Sequence, residues 1–387
     1  MYEIADLFDM RSAVGAKLES MLLERGFTKA SFCKAAGISR PTLDKLLSAG
    51  ITNKTNYEKH IAKALESLKI SADMFMGNSP NRFNQTRLLK QLLRVDEKQL
   101  AERTGVSTAR LKEIEAGAEA EISELRDLAY ALRTGVRSLL GTNYFPPQIA
   151  RWEASLDRCS AGDELAENGF WGHVGILPSS SEKYLWYPIT GTARSMVYGW
   201  IEHRYLVIPC MNNKVLWINT KNVDRIILLD DACDAPEACN WDQPVDYGET
   251  PSVVYESLRD YIDYSDSGEK VPEDVISQNL CEFLDSYVKK NEGTGDILSS
   301  EEAAVFYYAG GKIEQHHIDF DQEQSLSLEI SLIYEFGDEA SDERFLFFQD
   351  YDGTENFSNK DNVSIIELPL FNIEEAICKE QEEELAE

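Results

Sequence analysis

No apolar run in these 387 residues approaches the roughly 18 needed to cross a bilayer. The first ten residues carry Glu3, Asp6 and Asp9 in place of a basic, apolar export signal, so a cytoplasmic protein without a membrane partner is expected. The seven cysteines form an odd set with no Cys-x-x-Cys pair, and the five histidines have no neighbours at zinc-ligand spacing. Reduced, buried thiols are therefore expected rather than a disulfide framework or a structural metal. A Gly-rich phosphate loop, a serine elbow and a recognisable Cys/His pair are also missing, which argues against an enzyme and implies no cofactor.

Basic residues are scarce overall, and the formal net charge is −30. Phosphate binding relies on Lys and Arg displacing counterions, so this figure alone argues against nucleic acid. The distribution reverses that reading for one part of the chain. Residues 1–150 hold 22 Lys and Arg against 18 Asp and Glu, whereas residues 151–387 hold 16 against 50.

The basic part contains two similar patterns. In residues 95–117, Asp96 is placed to cap a short helix in which Leu100 and Ala101 point inward. Gly105 supplies a left-handed turn, Val106 plugs the core, Ser107 caps a second helix, and Leu111 and Ile114 hold that helix down. Ile122, Leu125, Leu128, Leu132 and Val136 continue at helical spacing. The same plan occurs 68 residues earlier. Thr28 caps a helix through Phe32 and Cys33, Gly37 and Ile38 make the turn, and Ser39 caps the segment from Arg40 to Leu46, with Pro41 in its first turn. Residues 56–70 repeat the following helix with Tyr57, Ile61, Leu65 and Leu68 inward, and residues 77–81, with Pro80, form the join.

Both patterns resemble the helix-turn-helix of phage repressors of the Cro/Xre type. The resemblance implies that the second helix of each unit enters the major groove while the first sits over the phosphates. Carried over residue by residue, it points to Lys29, Ser39, Arg40, Thr42 and Lys45 in the first unit, and to Ser107, Thr108, Ala109, Arg110 and Lys112 in the second. Lys29 stands where the family usually has Gln, and its counterpart Glu97 cannot serve a phosphate. Glu113, Glu115, Glu119 and Glu121 follow the second recognition helix and repel DNA wherever they lie near it. The first unit is the stronger candidate for base reading.

Beyond Gly141, the segment Asn143-Tyr144-Phe145-Pro146-Pro147 is a rigid break after which alternation replaces helical periodicity. Strands are expected at 184–189, 205–210, 215–218 and 225–229, with Asn212-Asn213 as a hairpin turn. Laying residues 204–228 over 344–368 without a gap matches Arg204, Leu206, Asn219, Asn222, Val223, Ile226 and Leu228 to identical residues. Strand, tight turn, strand, Asn-x-x-Asn-Val bend and last strand weakly resemble small five-stranded Sm-like barrels, duplicated. Helices are expected at 251–264 and 272–290, and in the Glu-rich segment 373–387.

The expected fold is thus multidomain α + β, with two all-α helix-turn-helix domains followed by an acidic β-rich region. Its segments are 1–78 and 79–141 for the helix-turn-helix domains, 142–165 for a linker, and 166–235 for the first barrel-like repeat. Residues 236–300 form an acidic linker with helices, 301–372 the second repeat, and 373–387 an acidic terminal helix or tail. Asp230, Asp231 and Asp234 and the pair His316-His317 are the only clusters suggesting metal or acid-base work, and adjacent histidines on a strand face opposite ways.

The resemblance implies a sequence-specific, double-stranded DNA-binding transcriptional regulator, a repressor that acts as a homo-oligomer on an operator. Its acidic region is left to assembly, to sensing a small effector, to docking a protein partner, or to imitating DNA in autoinhibition. The alternative reading is a protein-interaction scaffold or antitoxin-like factor that sequesters a basic partner through its acidic half.

Overall fold

The computed structural model describes residues 4, 6–8, 11–24, 27–68, 72, 75, 95–115, 118, 120–151, 168–231, 248–291, 302–320, 325–336 and 343–384. The expected join at 77–81, the segment boundaries after 78, 165, 235 and 300, and Glu119 and Asp234 lie outside the described residues. The chain divides into two compact units. One is Met1–Arg87 with Gly105–Ala120, and the other is Leu88–Thr104 with Glu121–Glu387.

The first unit begins with α1 (Arg11–Glu24), α2 (Lys29–Ala36), α3 (Arg40–Leu47) and α4 (Lys54–Leu68). Local chemistry sets their ends. The Thr28 hydroxyl accepts from the Ser31 amide at 3.1 Å while Ser31 Oγ accepts from the Thr28 amide at 3.0 Å, a reciprocal cap for α2. Gly37, at φ +60°, ends that helix and returns its amide to the Cys33 carbonyl. A Cβ at Gly37 would meet nothing within 4 Å, so the left-handed backbone, not crowding, is what requires glycine. Asn53 Oδ1 accepts from the Asn56 amide at 2.9 Å at the start of α4.

Phe32, Leu43, Leu46, Tyr57 and Ile61 are almost wholly buried in one core shared by these helices. Each contributes roughly 1.5–3 kcal/mol of burial. Helix α1, which carries no clear signal in the sequence, joins that core through Val14 and Leu18. Its Gly15 lies so near the end of α3 that a Cβ would sit 2.3 Å from the Leu47 carbonyl oxygen.

The second helix pair is split between the units. Helix α5 (Glu97–Thr104) belongs to the second unit, while α6 (Thr108–Glu115) belongs to the first. The second unit continues with α7 (Ile122–Ala131), α8 (Val136–Leu140), β1 (Phe170–Pro178), β2 (Leu185–Thr190) and α9 (Gly191–Trp200). Next come β3 (Tyr205–Pro209), β4 (Lys214–Asn219), β5 (Val223–Asp230), α10 (Ser252–Ser267) and α11 (Gln278–Asn291). It ends with β6 (Ala304–Tyr308), β7 (Ile313–His316), α12 (Ser325–Phe336), β8 (Phe345–Gln349), β9 (Glu355–Asn359), β10 (Val363–Pro369) and α13 (Leu370–Glu384). The fold is mixed α + β.

Helices α7, α10 and α11 pack together over Val254, Leu258, Ile276, Leu280 and Leu284. Arg126 of α7 is buried there, donating to Asp260 Oδ2 at 2.6 Å and to the Val275 carbonyl at 3.0 Å. Leu125, Leu128 and Leu132 are buried as their spacing implies, but Ile122 is 40 % exposed and Val136 half-buried. The chain beyond Gly141 runs directly into the β-rich core, where Phe145 is buried beside Trp217 and Phe306.

The strands form three antiparallel sheets in the orders β2-β1-β5, β3-β4-β10-β6-β7 and β8-β9. In the five-stranded sheet, alternate residues reach different cores. Val215 and Trp217 of β4 face the core shared with α12 and α13, while Leu216 and Ile218 face the core shared with β1, β2 and α9. Both faces are covered, which explains why these strands read as continuous apolar runs.

The internal repeat is visible in the element order. Two strands, a helix, a hairpin, a 3-10 turn and a closing strand occur first from β1 to β5 and again from β6 to β10. Equivalent bonds recur. The Thr220 amide meets the Arg204 carbonyl at 2.9 Å and the Lys360 amide meets that of Arg344 at 3.1 Å. Asn219 and Asn359 both cap the 3-10 turn with their side chains. The copies do not remain separate sheets, because β4 of the first pairs with β10 of the second, Trp217 opposite Ile366. Residues of the two bends also meet, Asn222 Nδ2 donating to the carbonyls of Asp361 and Val363. The corresponding β5·β9 pairing is not formed among the described strands, so the sheets stay open where the sequence leads one to expect closed five-stranded barrels.

Candidate nucleic-acid interface

Residues 27–68 hold seven Lys and Arg against three Asp and Glu, a local basic excess in an acidic chain. Helix α3 carries the chemistry. Leu43 and Leu46 turn one face into the core, which leaves Arg40, Pro41, Asp44 and Lys45 exposed. Ser39 Oγ accepts from the Thr42 amide at 3.3 Å and lies 2.8 Å from Thr42 Oγ1, so both hydroxyls are held at the helix start. Pro41 in the first turn costs no hydrogen bond. The partial positive charge of the helix N-terminus and the Arg40 guanidinium thus act at the same end. Arg40 and Lys45 form no ion pair with any described residue.

Lys29 is placed differently from a free phosphate contact. Its Nζ lies 3.2 Å from Asp44 Oδ1 and 3.5 Å from Glu19 Oε1, joining the start of α2 to the middle of α3 and to α1. The Asp44 hydrogen bond is the main influence raising the Lys29 ammonium above its ordinary pKa. Lys29 therefore neutralises the one acid on the exposed face of α3. Exposed Lys34 on α2 and Lys54 on α4 also belong to this unit, and neither pairs with a described acid. In the sequence only the net basic excess marks them.

The second pattern has the expected local ends. Gln99 and Asp96 cap α5 reciprocally at 2.8 and 3.1 Å, Gly105 takes φ +73°, and Ser107 Oγ accepts from the Arg110 amide at 3.2 Å. Leu100, Leu111 and Ile114 are buried, and Val106 is half-buried. Charge is the difference. Residues 95–115 hold four Lys and Arg against five Asp and Glu. Arg110 pairs with Glu113 at 3.3 Å, and Lys98 with Glu102 at 3.8 Å. Thr108, Ala109 and Lys112 are exposed on α6.

The chain matches no family model, no curated protein and no solved structure.

Two residues of the clusters that could suggest catalysis have partners among the described residues. Asp231 Oδ2 pairs with Arg151 at 3.1 Å. His316 is half-buried with Nδ1 3.3 Å from Asp350 Oδ2, and its ring packs against Phe306 and Phe348. No group of three His, Cys, Asp or Glu side chains suited to a metal occurs among the described residues. The described cysteines Cys33, Cys210, Cys281 and Cys378 are free thiols, Cys210 fully buried. No helix among the described residues is long and apolar enough to cross a membrane.

Proposed function

We propose that this protein is a sequence-specific, double-stranded DNA-binding regulator of transcription that reads its operator with α3. The observation that carries the reading is the exposed couple of Arg40 and Lys45, unpaired among the described residues, on a capped helix whose other face is locked into the core. A rigid helix presenting two free cations and hydroxyls at its start has the groups that base edges and phosphates require. Thr108, Ala109, Arg110 and Lys112 rank second, because α6 and its neighbours carry as much negative as positive charge.

Repression, action as an oligomer and a cytoplasmic location belong to the same proposal. The second unit, which holds all the excess negative charge, serves assembly or sensing rather than DNA contact. Selection of bound fragments from random duplex DNA with the purified full chain tests the reading. Enrichment of a defined sequence is expected. Recovery of unselected sequence, with a basic protein copurifying in its place, would favour sequestration of a basic partner by the acidic unit.

A further inference from the structure

The second unit contains a cavity of about 740 Å3 whose lining contradicts the charge around it. Arg103, Arg133, Arg151 and Lys290 all border it, with Glu249 as the one acid among the described lining residues. Residues 88–104 and 121–387, which make up the second unit, hold 23 Lys and Arg against 56 Asp and Glu, so four cations converging on one cavity are conspicuous there. They come from distant parts of the chain: the end of α5, the turn after α7, the segment at Arg151, and the end of α11. Lys290 is exposed and makes no ion pair with a described residue.

Arg133 is an unusual choice for its position. It follows the last turn of α7 in the left-handed region at φ +60°, where Gly or Asn is the ordinary solution. Its Nη2 donates to the carbonyls of Arg151 and Glu249, which fixes two walls of the cavity, while its buried Nε has no hydrogen-bond partner among the described residues. Burial lowers its proton affinity, Tyr130 and Glu249 oppose that, and nearby Arg103 pushes in the same direction as burial. Arg103 and Arg133 both border the cavity, and an anion bound there would favour both charged forms.

The remaining wall is aromatic. Tyr130 and Phe283 lie 5.1 Å apart between ring centroids, and Phe283 stacks on Tyr287 at 6.4 Å. The volume falls within the roughly 300–1,000 Å3 typical of small-molecule sites and far exceeds what a lone inorganic anion fills. We propose that this cavity binds a nucleotide, its phosphates among Arg103, Arg133 and Lys290 and its base against Tyr130, Phe283 and Tyr287. The inference stands on the second unit alone and is independent of DNA reading by α3.

Isothermal titration of the full chain with ATP, adenosine and pyrophosphate, without magnesium, tests it. One saturable ATP site per chain is expected, with adenosine and pyrophosphate each binding more weakly. Lys290→Glu, at an exposed position, should weaken ATP about ten-fold or more, and Tyr287→Leu should weaken ATP while leaving pyrophosphate unchanged. Arg40→Ala with Lys45→Ala should leave ATP binding intact, so this site and the DNA reading fail separately. Absence of ATP binding at millimolar concentration, pyrophosphate binding as tight as ATP, or insensitivity to Lys290→Glu would overturn the proposal. Displacement of ATP by duplex DNA from the Arg40/Lys45 variant would overturn it too, assigning the cavity to nucleic acid instead.

Discussion

Lys29 Nζ lies 3.2 Å from Asp44 Oδ1, so the residue at the start of α2 neutralises the acid beside the exposed cations of α3. The same lysine reaches Glu19 of α1. Lys29 thereby acts, through Asp44, on the α3 surface proposed to face DNA, leaving Arg40 and Lys45 as its charges without an ion pair among the described residues. Asp44→Asn should consequently tighten duplex binding and release Lys29 toward a phosphate. The slope of log affinity against log salt should then steepen by up to about 0.9. Fluorescence anisotropy across a salt series measures it, and an unchanged slope would leave Lys29 without a role at the interface.

The buried pair Lys360–Glu329, 2.7 Å apart with both side chains under 5 % exposed, sits where α12 meets the second bend. Removing one partner leaves an uncompensated buried charge. Lys360→Met should cost about 3–5 kcal/mol, whereas Lys360→Met with Glu329→Leu should recover most of that deficit. Denaturant unfolding followed by the fluorescence of the six tryptophans, among them buried Trp217, which stacks on Tyr205 close to Lys360, gives both values.

Glu374 of α13 accepts from the amides of Tyr144 and Phe145 at 2.8 and 3.1 Å. Burial pushes its carboxyl up to about 7, the two amides and Arg137 oppose that, and the neighbouring Glu256 adds to it. A folded-state value above the unfolded one means that the native protein binds the extra proton. This group's contribution to stability therefore falls as pH rises from about 4.5 to about 7, by an amount on the order of 3 kcal/mol. Glu374→Gln, which keeps the acceptor oxygen, should flatten that part of the stability curve. Unfolding free energies at pH 5, 6 and 7 for both proteins check it, and parallel curves would contradict it.

Gly37→Ala should destabilise the first unit by about 1 kcal/mol through backbone strain alone, because open space surrounds the missing Cβ and φ is +60°. Asn at the same position should cost less. Thermal melts of the two variants distinguish strain from poorer packing.

Local chemistry made much of this fold legible. Thr28, Ser39, Asp96 and Ser107 cap helices because a short side-chain oxygen beside an apolar-periodic run has few alternatives, and the hairpin at Asn212-Asn213 and both Asn-x-x-Asn-Val bends follow from turn chemistry. Helix α1 was not legible, since Gly15 looks like a helix breaker until the Leu47 carbonyl beside it is known. Strand β1 is buried at nearly every position, on both faces, so its run lacks a clean alternation. Pairing of β4 with β10 joins residues about 150 apart, and nothing local specifies a partner at that separation. For the same reason the cations of the cavity, from Arg103 to Lys290, carry no sequence pattern. Residue type alone marks the candidate interface, but the role of Lys29 depends on Asp44, fifteen positions away, which spacing does not connect.

The affinity of the full chain for its selected duplex before and after Arg40→Ala with Lys45→Ala, measured by anisotropy over a salt series, decides whether α3 reads DNA. Both positions are exposed, so circular dichroism should be unchanged. Affinity should weaken by about 1–3 kcal/mol for each base deprived of its side-chain partner, or the salt slope should fall by about 0.9 for each phosphate deprived of its cation. Wild-type affinity and slope in the double variant would contradict DNA reading by α3.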